Sequence, residues 1–137
     1  MNNSAIITPV LAAGSTASPY LVQVNISQRL CFATCAESNP VFSPEFTLVG
    51  FSQVGVGAYV AMINVRGVIS YTPCGADCCT TKSQLIDQTF TVPFASTTAP
   101  TSVTISQGAS VNMIAAHPCQ KCSRAFVSET PITMTVA

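Results

Sequence analysis

The residues of this chain that could do chemistry are its cysteines. The sequence of 137 residues contains seven of them, grouped in three segments that look like loops between strands. Thiolates in loops can form disulfides or bind a soft metal ion. The candidates are Cys31, Cys35, Cys74, Cys78, Cys79, Cys119 and Cys122.

Disulfide bonds are the first interpretation of these cysteines. Their number allows many connectivities, and sequence alone does not choose among them. Cys31 and Cys35 cannot bridge within an extended strand, because four residues then span about 13 Å, beyond the roughly 7 Å limit between bridged Cα atoms. The odd total leaves one thiol free or paired with a neighbouring molecule.

Zinc binding is the second interpretation. Cys119 and Cys122 have the C-x2-C spacing of a zinc knuckle, and Cys74 with Cys78 or Cys79 could complete a tetrahedral four-thiolate site. The segment between Cys79 and Cys119 is longer than the usual zinc-ribbon insert. A third interpretation is that the thiols are reduced and inert. All three stay open, and zinc is the one cofactor that the sequence suggests.

No catalytic group emerges from the remaining residues. His117 is the only histidine and lies two residues before Cys119, but Pro118 between them interrupts any strand that would place both on one face. The five acidic residues form no pair close in sequence that could act as general acid and base. We therefore predict a protein that is not an enzyme and has no catalytic residues.

The composition limits the partners. Hydrophobic residues make up 48% of the chain, and the charged residues are five Lys or Arg against five Asp or Glu. That content is too apolar for a disordered chain. A net charge of zero argues against a nucleic-acid partner, and no apolar run is long enough for membrane insertion as a helix. An uncharged surface favours self-association, so we expect the chain's partner to be itself.

The residue types predict an all-β protein. There are 15 Val, 9 Ile and 16 Thr against 5 Leu, and β-branched residues favour strands over helices. Apolar residues alternate with polar ones over several segments separated by Pro and Gly, which predicts a single two-sheet β-sandwich, jelly-roll-like, over residues 20–137. The predicted inward-facing residues are Tyr20, Val22, Val24, Ile26, Tyr59, Ala61, Ile63, Val65, Ile69, Tyr71, Ile86, Phe90, Val92 and Phe94.

Residues 1–19 are predicted to form an extended N-terminal arm. The segment has no charged side chain, and Pro9 and Pro19 favour an extended backbone. Its apolar residues are too few to make a core, so docking on a neighbouring subunit would cover them. The alternative is that the arm folds back as an edge strand of its own sandwich. The residues assigned to docking are Ile6, Ile7, Val10 and Leu11.

These features together resemble the endospore appendage fibre subunits of spore-forming bacteria. The similar features are an uncharged arm, a Ser/Thr/Val-rich sandwich and loop cysteines. The resemblance implies jelly-roll subunits that polymerise by sheet augmentation, with N-terminal connectors cross-linked by disulfides. This chain departs from that pattern because residues 1–30 contain no cysteine.

The resulting expectation is a structural, self-assembling subunit of an extracellular fibre or surface appendage. The first basic residue is Arg29, so the N-terminal segment lacks the basic region of a cleaved signal peptide. We therefore expect a cell-surface or spore-surface location without such a signal. The rival functions are a small zinc-binding interaction module with four cysteine ligands, and a virion decoration or tail protein.

The cysteine interpretations differ in one measurement. If the thiols are oxidised or metal-bound, native protein without reductant should resist complete alkylation, and mass spectrometry should count fewer than all labelled cysteines. Metal analysis of the same sample then separates zinc from disulfides. Complete alkylation with no bound zinc would contradict both functional interpretations.

Overall fold

A computed structural model describes residues 5–12, 17–31, 41–71, 82–115 and 123–137. These residues form strands and turns and no helix, so the described part of the chain holds no helix able to cross a membrane. The strands are β1 (Ile6–Leu11), β2 (Tyr20–Cys31), β3 (Val41–Phe42), β4 (Glu45–Gly55), β5 (Ala58–Tyr71), β6 (Lys82–Ala95), β7 (Val103–Gln107), β8 (Val111–Ala115) and β9 (Ser123–Val136).

The strands form two antiparallel sheets, which confirms the all-β class. The first sheet has the order β1-β2-β9-β7, with β8 also on β9. In the second sheet β5 is central, with β3 and β4 along one side and β6 along the other. Both sheets turn an apolar face toward a shared core, as a sandwich requires.

Two of the sheet edges are each formed by two consecutive strands with an interruption between them. Strands β7 and β8 run along β9 in the same direction, and residues 108–110 lie opposite residues 130–131. The extra residue is a β-bulge. Strands β3 and β4 likewise run along β5 and are separated by Ser43 and Pro44.

The period-two alternation determines the core. Every residue that the sequence predicts to face inward is buried, including the central Ile63 and the edge residue Phe90. In β5 the alternate residues from Tyr59 to Val65 are buried, and the phase holds through Ile69. This alternation is the direct consequence of a strand whose one face is covered by a second sheet.

Aromatic contacts join the two sheets near each end of the sandwich. At one end the Tyr20 hydroxyl donates to the carbonyl of Ala95, and the Tyr20 and Phe94 rings lie 5.5 Å apart. At the other end the Phe42 and Phe126 rings meet edge to face at 5.7 Å. We call these the Tyr20 end and the Cys31 end, after the first and last residues of β2.

Gly67 is where β5 passes the interruption between β3 and β4. A Cβ atom there would lie 2.6 Å from Cε1 of Phe42 and 3.2 Å from both the Cα of Pro44 and the carbonyl oxygen of Ser43. Two of these three atoms belong to the backbone, which cannot turn aside as a side chain can. The close approach of the two strands therefore requires glycine.

We expect Gly67→Ala to lower the free energy of unfolding by about 1–3 kcal/mol, because overpacking forces backbone shifts. Gly50→Ala is the matched control, since its Cβ would meet only the Met62 side chain, at 3.5 Å. That control should change stability by less than about 0.5 kcal/mol. Urea denaturation measures both, and equal effects would contradict the packing argument.

Candidate assembly interface

Most of the candidate cysteine site lies outside the described residues. Cys35, Cys74, Cys78, Cys79, Cys119 and Cys122 are all in that category, as is His117. Cys31 is the last residue of β2, where its backbone lies opposite Ser123 of β9. Among the described residues no group of His, Cys, Asp and Glu could hold a metal ion. The disulfide and zinc interpretations therefore stay predictions.

The chain connections nevertheless relate the cysteine segments to one another. Residues 32–40 join β2 to β3, residues 72–81 join β5 to β6, and residues 116–122 join β8 to β9. The strand ends that flank these segments all lie at the Cys31 end, where Cys31 pairs with Ser123 and Tyr71 pairs with Lys82. The described strand ends on either side of these three segments therefore lie at one end of the sandwich.

The N-terminal residues form an edge strand of the chain's own sheet. Residues Ile6 to Leu11 pair antiparallel with β2, with Ile6 opposite Ser27 and Leu11 opposite Val22. This is the fold-back alternative, and it moves part of the segment from 1 to 19 into the sandwich. Docking of these residues on a neighbouring subunit stays a prediction.

The four residues assigned to docking divide between the two faces of β1. The exposed fractions of Ile6 and Val10 are 68% and 49%, so both side chains lie on the outer face. Ile7 and Leu11 are half-buried and pack against the core. The strand is therefore held by main-chain hydrogen bonds and by the half-buried side chains of Ile7, Pro9 and Leu11.

The hydrogen-bonding direction of β1 follows from its last pair. The N–H of Ala12 donates to the carbonyl of Leu21 at 2.9 Å. Antiparallel strands alternate between bonded and non-bonded positions. The main-chain groups of the even-numbered residues of β1 therefore bond to β2, and the N–H and C=O groups of the odd-numbered residues point toward the free edge of the sheet. Pro9, which has no N–H, lies at an outward position and protects the edge.

Strand β6 is also an edge strand, since among the described strands it pairs only with β5. The N–H of Ser96, just past β6, donates to the carbonyl of Gly57 at 3.1 Å. Even-numbered residues of β6 therefore bond to β5, and odd-numbered residues point their N–H and C=O groups toward the free edge. Pro93 is odd-numbered and again removes one outward N–H. Thr89 and Thr91 retain theirs.

The opposite side of the sandwich is bridged by side-chain amides. Gln107 of β7 accepts a hydrogen bond from the N–H of Phe46 at 3.0 Å and donates to the carbonyl of Pro44 at 2.9 Å. Asn112 of β8 donates to the carbonyl of Phe42 at 3.0 Å. These two residues give edge groups of β3 and β4 partners from the other sheet. On the β1 and β6 side, Gln88 donates to the carbonyl of Ala5 at 3.3 Å.

Two shallow grooves lie in the described part of the chain. One, of about 630 Å³, is at the Tyr20 end beside Ser96 and Val136, and the other, of about 550 Å³, follows the bridged edge beside Phe42 and Asn112. Neither is lined by a charged side chain.

Charge divides the sandwich along its length. Glu45, Arg66 and Asp87 lie side by side in one row across the second sheet. Glu129 lies on β9 of the first sheet, opposite Asn25. Toward the Tyr20 end from these residues, the part of the chain that the structure describes has no charged side chain, because residues 5–28, 46–65, 88–115 and 130–137 contain no Lys, Arg, Asp or Glu.

The bridging roles of Gln107 and Asn112 have no signal in the sequence, because their partners lie far away along the chain. Gln107 precedes Gly108 in a turn-like pair, and Asn112 is a polar residue within a short apolar segment. Pro93 lies within the unbroken alternation of β6, and a proline inside a strand pattern is a sequence signal of an edge strand. Comparisons with protein-family models, with curated proteins and with solved structures found no match to this chain.

We expect Gln107→Ala to lower the free energy of unfolding by about 1 kcal/mol, since the Phe46 N–H and the Pro44 carbonyl lose partners in a partly buried position. Gln53→Ala is the matched control. Its amide makes one exposed bond to the carbonyl of Gly55, so its loss should cost less than about 0.5 kcal/mol. Denaturant titration measures both, and a neutral Gln107→Ala would contradict the bridging role.

Proposed function

We propose that this protein is a non-enzymatic structural subunit that polymerises into an extracellular fibre or surface appendage through its N-terminal strand. The observation that carries the proposal is the position of β1. It is a six-residue terminal strand at a sheet edge, paired on one side with β2, and none of its side chains is fully buried. Such a strand is the part of a sandwich that is most easily exchanged between copies.

The link between β1 and β2 supports exchange. Antiparallel hairpins close with roughly 2–5 residues, whereas residues 12–19 separate these two strands. Fully extended, that segment reaches about 26–29 Å. It is long enough to carry β1 to another molecule.

The surface supports self-association rather than another partner. Exposed apolar side chains occur on both sheets, among them Leu21, Val68 and Leu85. The net charge of zero removes both the repulsion between copies and the attraction to a phosphate backbone. The partner proposed is therefore a second copy of the chain, with no nucleic acid.

The finer features of the proposal come from the resemblance to endospore appendage subunits. They are the jelly-roll connectivity, the spore or cell surface as location, and disulfides that reinforce the fibre. The strand ends that flank the cysteine segments share the Cys31 end, which would suit cross-links made at one end of each subunit. No described residue favours the zinc-binding module or the virion protein as a second function.

Substitutions on the two faces of β1 test the proposal. Ile7→Asp places a charge on the half-buried face and should abolish fibres in negative-stain micrographs, because the strand then cannot cover an acceptor. Ile6→Asp is the matched control, since Ile6 is 68% exposed, and it should assemble like the parent. Circular dichroism should report a folded sandwich for both.

Removal of residues 2–15 provides the complementary test. The shortened chain should stay folded and soluble and should form no fibres, because it lacks the strand to donate. If it polymerises to normal length, the arm is not the connector. Discrete closed particles from the parent chain would instead favour the virion alternative, and bound zinc would favour the interaction module.

A further inference from the structure

The direction of the strands determines which edge can receive β1 in an open fibre. The connection between β1 and β2, residues 12–19, begins and ends at the Tyr20 end, where both Leu11 and Tyr20 lie. If β1 of one copy replaces β1 of another on β2, two Tyr20 ends must face each other. That arrangement is reciprocal and closes as a dimer.

A fibre needs a head-to-tail contact, in which the Tyr20 end of one copy faces the Cys31 end of the next. In an arm that continues straight from Tyr20, Leu11 then lies nearer the Cys31 end of the next copy and Ile6 nearer its Tyr20 end. From Ile6 to Leu11 the chain therefore runs from the Tyr20 end to the Cys31 end of that copy, parallel to its β2. It is antiparallel to β6, which runs from Lys82 at the Cys31 end to Ala95 at the Tyr20 end.

Building on the proposed function, we infer that β1 of one subunit docks as an antiparallel strand on the free edge of β6 of the next subunit. Antiparallel addition gives straight, well-formed main-chain hydrogen bonds. The occupant is thus the segment Ile6–Leu11 of a second copy. Reciprocal docking on β2 is the closed alternative.

The two strands match in both of their alternations. On β1 the even-numbered residues hydrogen-bond to the partner strand, and Ile7 and Leu11 face inward. On β6 the odd-numbered residues face the free edge, and the even-numbered Phe90 and Val92 face inward. If even-numbered residues of β1 lie opposite odd-numbered residues of β6, their main-chain groups can hydrogen-bond to each other. In the same register the inward-facing side chains of both strands lie on the same face of the sheet. The main chain of Pro9 then points away from β6, so its missing N–H costs no hydrogen bond.

The docking window on β6 has clear limits. Asp87 marks the charged row, and Pro93 lacks the N–H that an added strand would use. Residues 88–92 lie between them and are uncharged, as is the whole of β1. Within this window the N–H groups of Thr89 and Thr91 are the free-edge donors.

Substitution of Thr91 in the full-length chain tests the inference. Thr91→Pro removes a free-edge N–H without touching the bonds to β5, so the subunit should stay folded. Its critical concentration for assembly should rise about tenfold or more, because a main-chain bond is lost and the proline ring obstructs the edge. Thr91→Val is the matched control, since it keeps the N–H and the branched shape, and it should assemble like the parent.

Hydrogen exchange of the unsubstituted chain provides a second, independent measurement. In fibres the amides of Thr89 and Thr91 should exchange much more slowly than in the unassembled Ile7→Asp protein. The amides of Phe90 and Val92, which bond to β5, should be protected in both samples. This alternating pattern distinguishes strand addition from general burial, and it decides the question even if Thr91→Pro does not fold.

The outcomes separate this inference from the proposed function. Fibres that form normally with Thr91→Pro, or fast exchange of Thr89 and Thr91 within fibres, would overturn the β6 site while the arm remained the connector. Closed dimers as the end product of the parent chain would favour exchange on β2 and would also overturn it. A parent chain that forms no assembly at all would overturn both proposals.

Discussion

A β-sheet has to end, and the last strand on each side carries main-chain groups without a partner in the sheet. This sandwich has two sheets and therefore four edges, which it treats unequally. Along one side Gln107 and Asn112 bridge the edges of the two sheets. Along the other side β1 and β6 are protected mainly by Pro9 and Pro93. The side-chain bridges from Gln107 and Asn112 thus lie along one side of the sandwich.

Much of the fold could be predicted from the sequence because it rests on local alternation. The buried faces of β2, β5 and β6 follow from period two alone, since a slip of one residue would expose the whole apolar set. The position of β1 could not be predicted in the same way. Its even-numbered residues can hydrogen-bond to the free edge of any strand that runs antiparallel to it. The choice between its own β2 and a strand of another copy therefore depends on contacts outside the segment.

Alternation does not predict which partners the buried polar side chains find. Gln28, Ser128 and Thr130 are buried at positions that continue the inward phase of their strands. Thr130 shares a hydrogen bond of 2.7 Å with Ser110, which lies in the bulge between β7 and β8. That partner exists only because the bulge adds a residue at this point, and nothing in the sequence marks the register of a bulge. Buried polar pairs of this kind depend on tertiary geometry.

The absence of charged side chains from the Tyr20 half has a consequence for the conditions under which the molecule can work. Electrostatic contacts weaken as dissolved ions screen them, whereas apolar and main-chain contacts in the absence of charge do not depend on that screening. Strongly hydrated salts such as sulfate even strengthen apolar burial. A surface of this kind keeps its cohesion in brine, in fresh water and during drying, when the ion concentration around a structure changes severalfold.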